Sequence, residues 1–433
     1  MSPASAQVDF LDHGAGEPLA AFGQWLSARP RGRILLVDFE LDSWWLQVTV
    51  KQSLTAIYHC DLNGSVYAAV TDRALEVEQA CAAAQVEQWA QTHHLAFFKP
   101  GQPLLLQPVN IDKPWGQEIW FTGVEERGVC CFTDGQFGAP VPWVQAVMPE
   151  AAAGKPGTPL ILLKILDPFP EEVRGDLYFE LHEEKREVYV VTHVDESAWP
   201  SGIGGIRFGF DPAKIAQARS EEAFRQDYLS AVQQYEAVRR EIDALSTETA
   251  PDPELRQREH KLRTRMDAFT RTRDLRVGDV VVVPLLMPHS LQHGVRTIEF
   301  QTPVYERRIL SFAQEVLTQG HWDTAAAVAR MRLLPPHETP FDELPASHGV
   351  TVERIVDFPD FEVRRFFIEA GCSEELRLSE SYGLIMVVRG DLSVGDLQLG
   401  AEQAAFLPLN SVLDLKPAEP DSPLVLLLAI PCG

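Results

Sequence analysis

Short runs of β-forming residues, each closed within a strand's length by Gly, Pro or Asp, fill two stretches of this chain and set the strongest limit on its fold. Between 106 and 210 they are Ile119-Trp-Phe-Thr122, Gly128-Val-Cys-Cys-Phe132, Leu160-Ile-Leu-Leu-Lys-Ile-Leu166 and Val188-Tyr-Val-Val191. Between 349 and 433 they begin at Val350, Phe361, Leu384, Arg389, Ala404 and Val425. A chain that turns this often favours a sandwich or jelly-roll barrel. One segment breaks the pattern. Phe224, Tyr228, Val232, Tyr235, Val238, Ile242 and Leu245 are spaced by four or three, a single helical stripe. Ser220 stands before it as a cap, Pro251 and Pro253 mark a turn, and Leu255, Leu262, Met266 and Phe269 continue on a second helix. This reads as an antiparallel helical hairpin whose stripe serves packing.

The opening segment, 1–105, is mixed. Ile34–Phe39, Trp45–Val50 and Val66–Val70 read as strands and Leu75–Trp89 as a helix. It holds no metal-ligand or nucleophile spacing. The organisation expected is mainly β: this α/β segment, then a domain over 106–345 with a helical insertion at 211–275, then a β domain over 346–433. A helix from Thr324 and the prolines 335, 336 and 340 precede the last domain. Residues 349–433 contain no histidine, so that stretch lacks imidazole for a metal.

Charge narrows the function. The chain has 433 residues with 62 acidic against 38 Lys and Arg, a formal net charge of -24. No basic field exists to meet nucleic-acid phosphates, and an anionic substrate would need a local site. The six cysteines show no ligand-like spacing and read as reduced thiols of a cytoplasmic protein. The opening residues lack a signal-peptide pattern, and the longest apolar runs, such as Leu424–Ile430, suit strands rather than a membrane span. The expected partner is a small molecule, and the expected state a monomer or homodimer.

Two short segments carry the chemistry. The first is Gly175-Asp-Leu-Tyr-Phe-Glu180-Leu-His182, followed by Glu187. The second is Gly278, five residues of Asp-Val-Val-Val-Val, Pro284, then His289 and His293. Residues two apart on a strand share a face, so Glu180 and His182 project together. A hairpin through the charged residues 183–186 returns Glu187 beside His182. Glu180, His182, Glu187 and His289 thus offer two carboxylates and two imidazoles, a set that suits Zn²⁺, Mn²⁺ or Fe²⁺ with an open position left for water or substrate. His293 lies in a loop whose facing the sequence does not give.

These segments resemble the two motifs of the cupin superfamily, G-x5-H-x-H-x3,4-E-x6-G and G-x5-P-x-G-x2-H-x3-N. Glu180 stands at the first His, His182 at the second and Glu187 at the acidic position; Gly278, Pro284 and His289 match the second motif, with Leu286 at its Gly and His293 at its Asn. A narrower resemblance is to the type I phosphomannose isomerases. It rests on Lys113-Pro-Trp-Gly-Gln-Glu118, Thr158-Pro-Leu-Ile-Leu-Leu-Lys-Ile-Leu-Asp167, Leu177-Tyr-Phe-Glu-Leu-His182, Lys185-Arg-Glu-Val-Tyr-Val190, Val283-Pro-Leu-Leu-Met-Pro-His289, Thr297-Ile-Glu-Phe-Gln301 and Arg307-Arg308-Ile-Leu.

The resemblance covers roughly 106–433. It implies two jelly-roll barrels, the second metal-free, and zinc as the metal. It also implies an isomerase of mannose 6-phosphate and fructose 6-phosphate, or of a related sugar phosphate, working through a cis-enediol. Arg308 or its neighbour Arg307 would stabilise the enediolate, and Glu299, Lys113 and Lys164 are the candidate bases. Trp115, Lys164, Lys185 and Tyr178 would face the substrate, with Lys185, Arg186 or the Arg307-Arg308 pair near its phosphate. Three residues depart from the family pattern: Glu180 replaces its Gln, Glu183 the Pro after its His, and Tyr178 its phosphate-holding Ser. Alternative readings are another cupin enzyme, such as an Fe²⁺ dioxygenase or sugar epimerase, or a non-catalytic sugar-binding homologue.

Overall fold

Antiparallel pairing of short strands organises most of the chain in the computed structural model, which describes residues 7–12, 16–73, 86–245, 251–317, 319–337 and 339–432. The protein is mainly β, with several antiparallel sheets. It divides into two compact units, both discontinuous in sequence. One comprises 1–109, 120–163 and 341–433, the other 110–119 and 164–340.

The second unit holds both ligand segments. Its larger sheet runs in the order Val280–Val283, Glu187–Val194, Val295–Gln301, Leu162–Pro168, Gly116–Trp120, Val109–Lys113. Its smaller sheet runs Thr270–Leu275, Gly204–Phe210, His289–Leu291, Phe179–Leu181, Arg308–Ser311. Tyr189, Val191, Val281, Val283 and Val295 of the larger sheet share one apolar core with Ile206, Phe208, Leu291 and Ile309 of the smaller. The two sheets are therefore packed face to face. The strand around Glu180 shows the two-residue period directly. Phe179 and Leu181 point to the far side, where they pack with Phe224, Tyr228, Val232 and Tyr235 of the helix Glu221–Asp243. Each such buried aromatic or aliphatic side chain stabilises the hairpin's docking by about 1.5–3 kcal/mol. That leaves Glu180 on the inner face.

The helical stripe forms as its spacing predicts. Ser220 Oγ accepts the Ala223 N–H at 3.1 Å, and Asp252 caps the partner helix Pro253–Asp267 through the Glu254 N–H at 2.8 Å. The segment Thr270–Leu275, read as the end of the helical insertion, is instead a strand that pairs with Gly204–Phe210. Gly116 is required where it stands. Its φ is +149°, and a Cβ there would meet the Asp167 carbonyl oxygen at 2.2 Å. That close approach seats Trp115 and Glu118 beside the strand Leu162–Pro168.

In the first unit, Gln7–Asp12 and Arg33–Asp42 pair in parallel across the helix Pro18–Ser27, and Lys51–Cys60 and Val66–Thr71 follow antiparallel. The expected strand Trp45–Val50 is a loop. The Ser43 N–H donates to the Val50 carbonyl at 2.8 Å, and the strand begins at Lys51. Aromatic and β-branched residues suit strands only where a sheet face receives them, and here Val48 and Val50 are exposed. The helix expected over Leu75–Trp89 lies outside the described residues as far as 85, and a helix is described at Val86–His93. A nine-stranded sheet joins Leu104–Gln107, Cys131–Thr133 and Gly138–Pro140 to strands from 342 to 431, and a four-stranded sheet comes from Glu374–Leu378, Ser411–Pro417, Leu392–Val394 and Leu397–Leu399. Among the described residues, no helix is long and apolar enough to cross a membrane.

Candidate metal centre

Cross-strand register brings the two ligand segments together. Glu180 stands directly opposite His289 on neighbouring strands of the smaller sheet. His182 follows Glu180 by two, and the two imidazole rings lie 5.2 Å apart. One ligand atom each from Glu180, His182 and His289 falls within 4.8 Å of the others. Glu187 comes from the facing sheet. Its carboxylate is 3.4 Å from His182 Nε2 and 3.0 Å from His289 Nε2.

Both imidazoles are oriented by the backbone. His182 Nδ1 lies 2.9 Å from the Glu306 carbonyl, and His289 Nδ1 lies 2.9 Å from the Met287 carbonyl. A carbonyl only accepts, so each Nδ1 carries the proton and each Nε2 presents a lone pair to the cluster. Burial, together with the Lys185 charge, lowers the pKa of His182, which keeps the ring neutral. His182 Nε2 and Glu180 Oε2 are buried without a hydrogen bond. An orphaned imidazole nitrogen with a second imidazole and two carboxylates around it suits a divalent cation, and Glu180, His182, Glu187 and His289 would hold it.

A row of buried charge extends from this cluster across the larger sheet. Glu187 accepts from Lys185 Nζ at 2.7 Å and from the Tyr189 hydroxyl at 2.7 Å. Tyr189 stands opposite Glu299 on the next strand. Glu299 is 3.3 Å from Lys164 Nζ on the strand after that; Lys164 is also 3.8 Å from Glu118, and Glu118 is 3.2 Å from Lys113. Carboxyl and ammonium groups thus form a connected row over five successive strands in a nearly dry interior.

The protonation states follow from the row. Burial opposes the charge on Lys164, but Glu118, Glu299 and Glu187 outweigh it and raise its pKa. Burial also opposes the charge on Glu187, and the Lys185 ammonium still holds its carboxyl well below the ordinary range. Glu299 goes the other way: burial and the nearby Glu187 push it well above that range despite Lys164. Burial and the Glu187 charge likewise keep Tyr189 a protonated donor. Two carboxyls on adjacent strands are driven apart in acidity, the arrangement that divides anionic and proton-carrying roles.

The two arginines take different places. Arg307 lies 3.8 Å from Glu180 Oε2, and its guanidinium sits 4.4 Å above the Tyr178 ring, which packs 4.2 Å from Phe312. Arg308 is turned to Glu183 at 2.9 Å and to Asp323 at 4.0 Å, and Glu183 also pairs with Arg330. Trp115 is 1% exposed and sits in the apolar core with Leu166, Tyr178 and Tyr189. His293 is held away from the cluster, bonded to Asp176 at 2.7 Å and stacked 4.7 Å from Trp199. Sequence reasoning gave no role to Tyr189, Glu118 or Glu306. Tyr189 was findable, since it shares the face of Glu187 two residues on. The Glu306 contribution is a carbonyl, which no side-chain pattern marks.

No protein-family profile matches the chain, and no curated protein sequence does. Solved structures do. The mannose 6-phosphate isomerase of Bacillus subtilis aligns over 76% of this chain and 99% of its own, with TM-score 0.54 and 17% identity. A zinc-bound mannose 6-phosphate isomerase aligns over 77% of this chain and 100% of its own, with TM-score 0.55 and 12% identity. The apo enzyme of Salmonella typhimurium gives 77%, 100%, 0.53 and 12% in the same terms. Over about three quarters of its length, this chain therefore has the fold of the mannose 6-phosphate isomerases, the cupin-type enzymes that its motifs resemble.

Proposed function

We propose that this protein is a metal-dependent aldose–ketose isomerase acting on a sugar through a cis-enediol. The observation that carries the reading is the convergence of two backbone-oriented Nε2 atoms, Glu180 and Glu187, with the buried Glu299–Lys164 pair on the next strands, in a chain with the isomerase fold. The mannose 6-phosphate and fructose 6-phosphate pair, named for the structural neighbours, is the reference reaction. The reading includes two jelly-roll barrels, the second, over 346–433, serving stability and carrying no metal.

A bound divalent ion, with Zn²⁺ the first candidate, would supply Lewis acidity toward the carbonyl or hydroxyl oxygens of the open-chain sugar. The residues of this chain do the rest. Glu299, as the carboxylate, takes the proton from one of C1 and C2 and returns it to the other; burial makes it a stronger base, and Lys164 fixes its position. Lys113 holds Glu118 and so steadies Lys164. Lys185 and Tyr189 clamp the two oxygens of Glu187, so that its carboxylate keeps one orientation. Arg307, rather than Arg308, is assigned to the enediolate, because it faces Glu180 while Arg308 is engaged by Glu183.

Metal analysis of the purified protein, paired with an isomerase assay, tests the proposal. We expect close to one divalent ion per chain, and loss of both metal and activity in His182→Ala with the secondary structure retained. A metal-free wild-type protein whose stability ignores His182→Ala would end this reading.

A further inference from the structure

We infer that the sugar taken at this centre is uncharged, an aldose or ketose without a phosphate group. This rests on the isomerase reading of the site and names its substrate class. The argument begins with the site's cations. Lys113, Lys164, Lys185 and Arg307 line it, and each already faces a carboxylate: Glu118, Glu118 with Glu299, Glu187, and Glu180 respectively. Four carboxylates meet four cations, and Lys164 and Lys185 with Glu118, Glu187 and Glu299 are buried.

A phosphate dianion could take one of these cations only by drawing it away from its partner. The partner carboxylate would then be left charged and unpaired in a dry interior, which is the costly half of any buried ion pair. Arg307 is the most exposed of these cations, and it is committed twice. Its edge is turned toward Glu180, and its face lies on the Tyr178 ring, itself packed against Phe312. Tyr178 thus occupies the face of the guanidinium, and Glu180 competes for its edge. The wider field adds to this. With a net charge of -24, the chain repels a dianion at long range and gives no steering toward the mouth of the site. A neutral sugar meets none of these barriers. Its hydroxyls can donate to carboxylate oxygens without separating any pair.

The experiment uses the full-length protein loaded with Zn²⁺ or Mn²⁺, and compares D-mannose with mannose 6-phosphate in two readouts. One is kcat/KM for isomerisation. The other is calorimetric binding, with inorganic phosphate as a third probe. We expect mannose to exceed its 6-phosphate by at least about tenfold in kcat/KM, and inorganic phosphate neither to bind nor to compete. A smaller ratio, a preference for the 6-phosphate, or competition by phosphate overturns the inference. If neither sugar is isomerised, the isomerase reading fails on its own, and binding decides the substrate class. Tighter binding of mannose upholds the inference; tighter binding of the 6-phosphate, or of neither, overturns it. The double variant Glu180→Gln, Tyr178→Ser releases Arg307 and is expected to move the mannose to mannose 6-phosphate ratio of affinities about tenfold toward the phosphate. An unmoved ratio in a variant that keeps the wild-type circular dichroism spectrum removes Arg307 from the explanation and overturns it.

Discussion

Two sheet interiors in this protein are enclosed by strands of the same kind and filled in opposite ways. In the second unit, the inner face of the larger sheet carries Lys164, Glu187, Tyr189 and Glu299. In the first unit, the strands between 350 and 431 enclose Ile385, Val387, Leu392, Val394, Leu399, Leu407, Leu415, Leu424, Leu426 and Leu428, all fully buried. The apolar interior spends its whole volume on stability. The polar one gives up part of that stabilisation, since buried ion pairs seldom outdo well-packed apolar side chains. What it gains is a set of groups with fixed orientation and divided acidity. The contrast shows that chemistry here depends on which residues occupy inward positions, not on the sheet architecture.

The contrast can be broken from either side. The largest effect should come from charging the apolar interior. Leu426→Asp, facing Phe366 and Val387 on neighbouring strands, should cost upward of about 4 kcal/mol and abolish the cooperative urea transition of the first unit. A wild-type transition would mean that this interior tolerates charge and that the comparison is false. Next is Lys164→Met, which deprives Glu299 and Glu118 of their shared ammonium. It should destabilise the second unit by about 3–5 kcal/mol, read by urea unfolding followed through near-ultraviolet circular dichroism. A neutral result would show that the charge row is not a connected unit.

Metal should sharpen the contrast further. Saturating Zn²⁺ should stabilise the wild-type protein by about 2.7 kcal/mol at a hundred times its dissociation constant, and by nothing measurable in His289→Ala. A similar gain in both proteins would place the ion elsewhere. The smallest effect belongs to Tyr189→Phe, which removes one hydrogen bond to Glu187. We expect about 1 kcal/mol of destabilisation and a weaker metal affinity, by about tenfold, measured by competition with a chelator. Unchanged metal affinity would make Tyr189 a packing residue only.

What could be read from the sequence was whatever depends on local periodicity. The stripe from Phe224 to Val238 and its Ser220 cap fixed a helix, and Glu180 with His182 announced a shared strand face. The Gly278-to-His289 spacing marked the second ligand strand for the same reason. What could not be read depends on pairing between distant segments. Glu118 meets Lys164, and Lys164 meets Glu299, only because the strands holding them are neighbours in an order that does not follow the sequence. The choice between Arg307 and Arg308 was equally closed, since adjacent residues face opposite ways and sequence cannot say which side is inward. At Trp45–Val50, residue preference misled, because no sheet face was available to receive those side chains.

The path of the chain through the two units bears on the order in which the protein is made. Residue 340 completes the second unit, with every proposed metal ligand already present. The first unit cannot close at that point, although its opening strands were synthesised long before. One edge of the strand Leu104–Gln107 pairs early with Cys131–Thr133, but on its other edge Leu104 and Leu105 meet Phe406 and Ala405, some three hundred residues later. A nascent chain leaving the ribosome therefore carries an unpaired β-edge through most of its synthesis, and such edges are where chains stick to one another. The half of the molecule that folds last began first, and its yield, more than that of the metal-binding half, should depend on chaperones and on growth temperature.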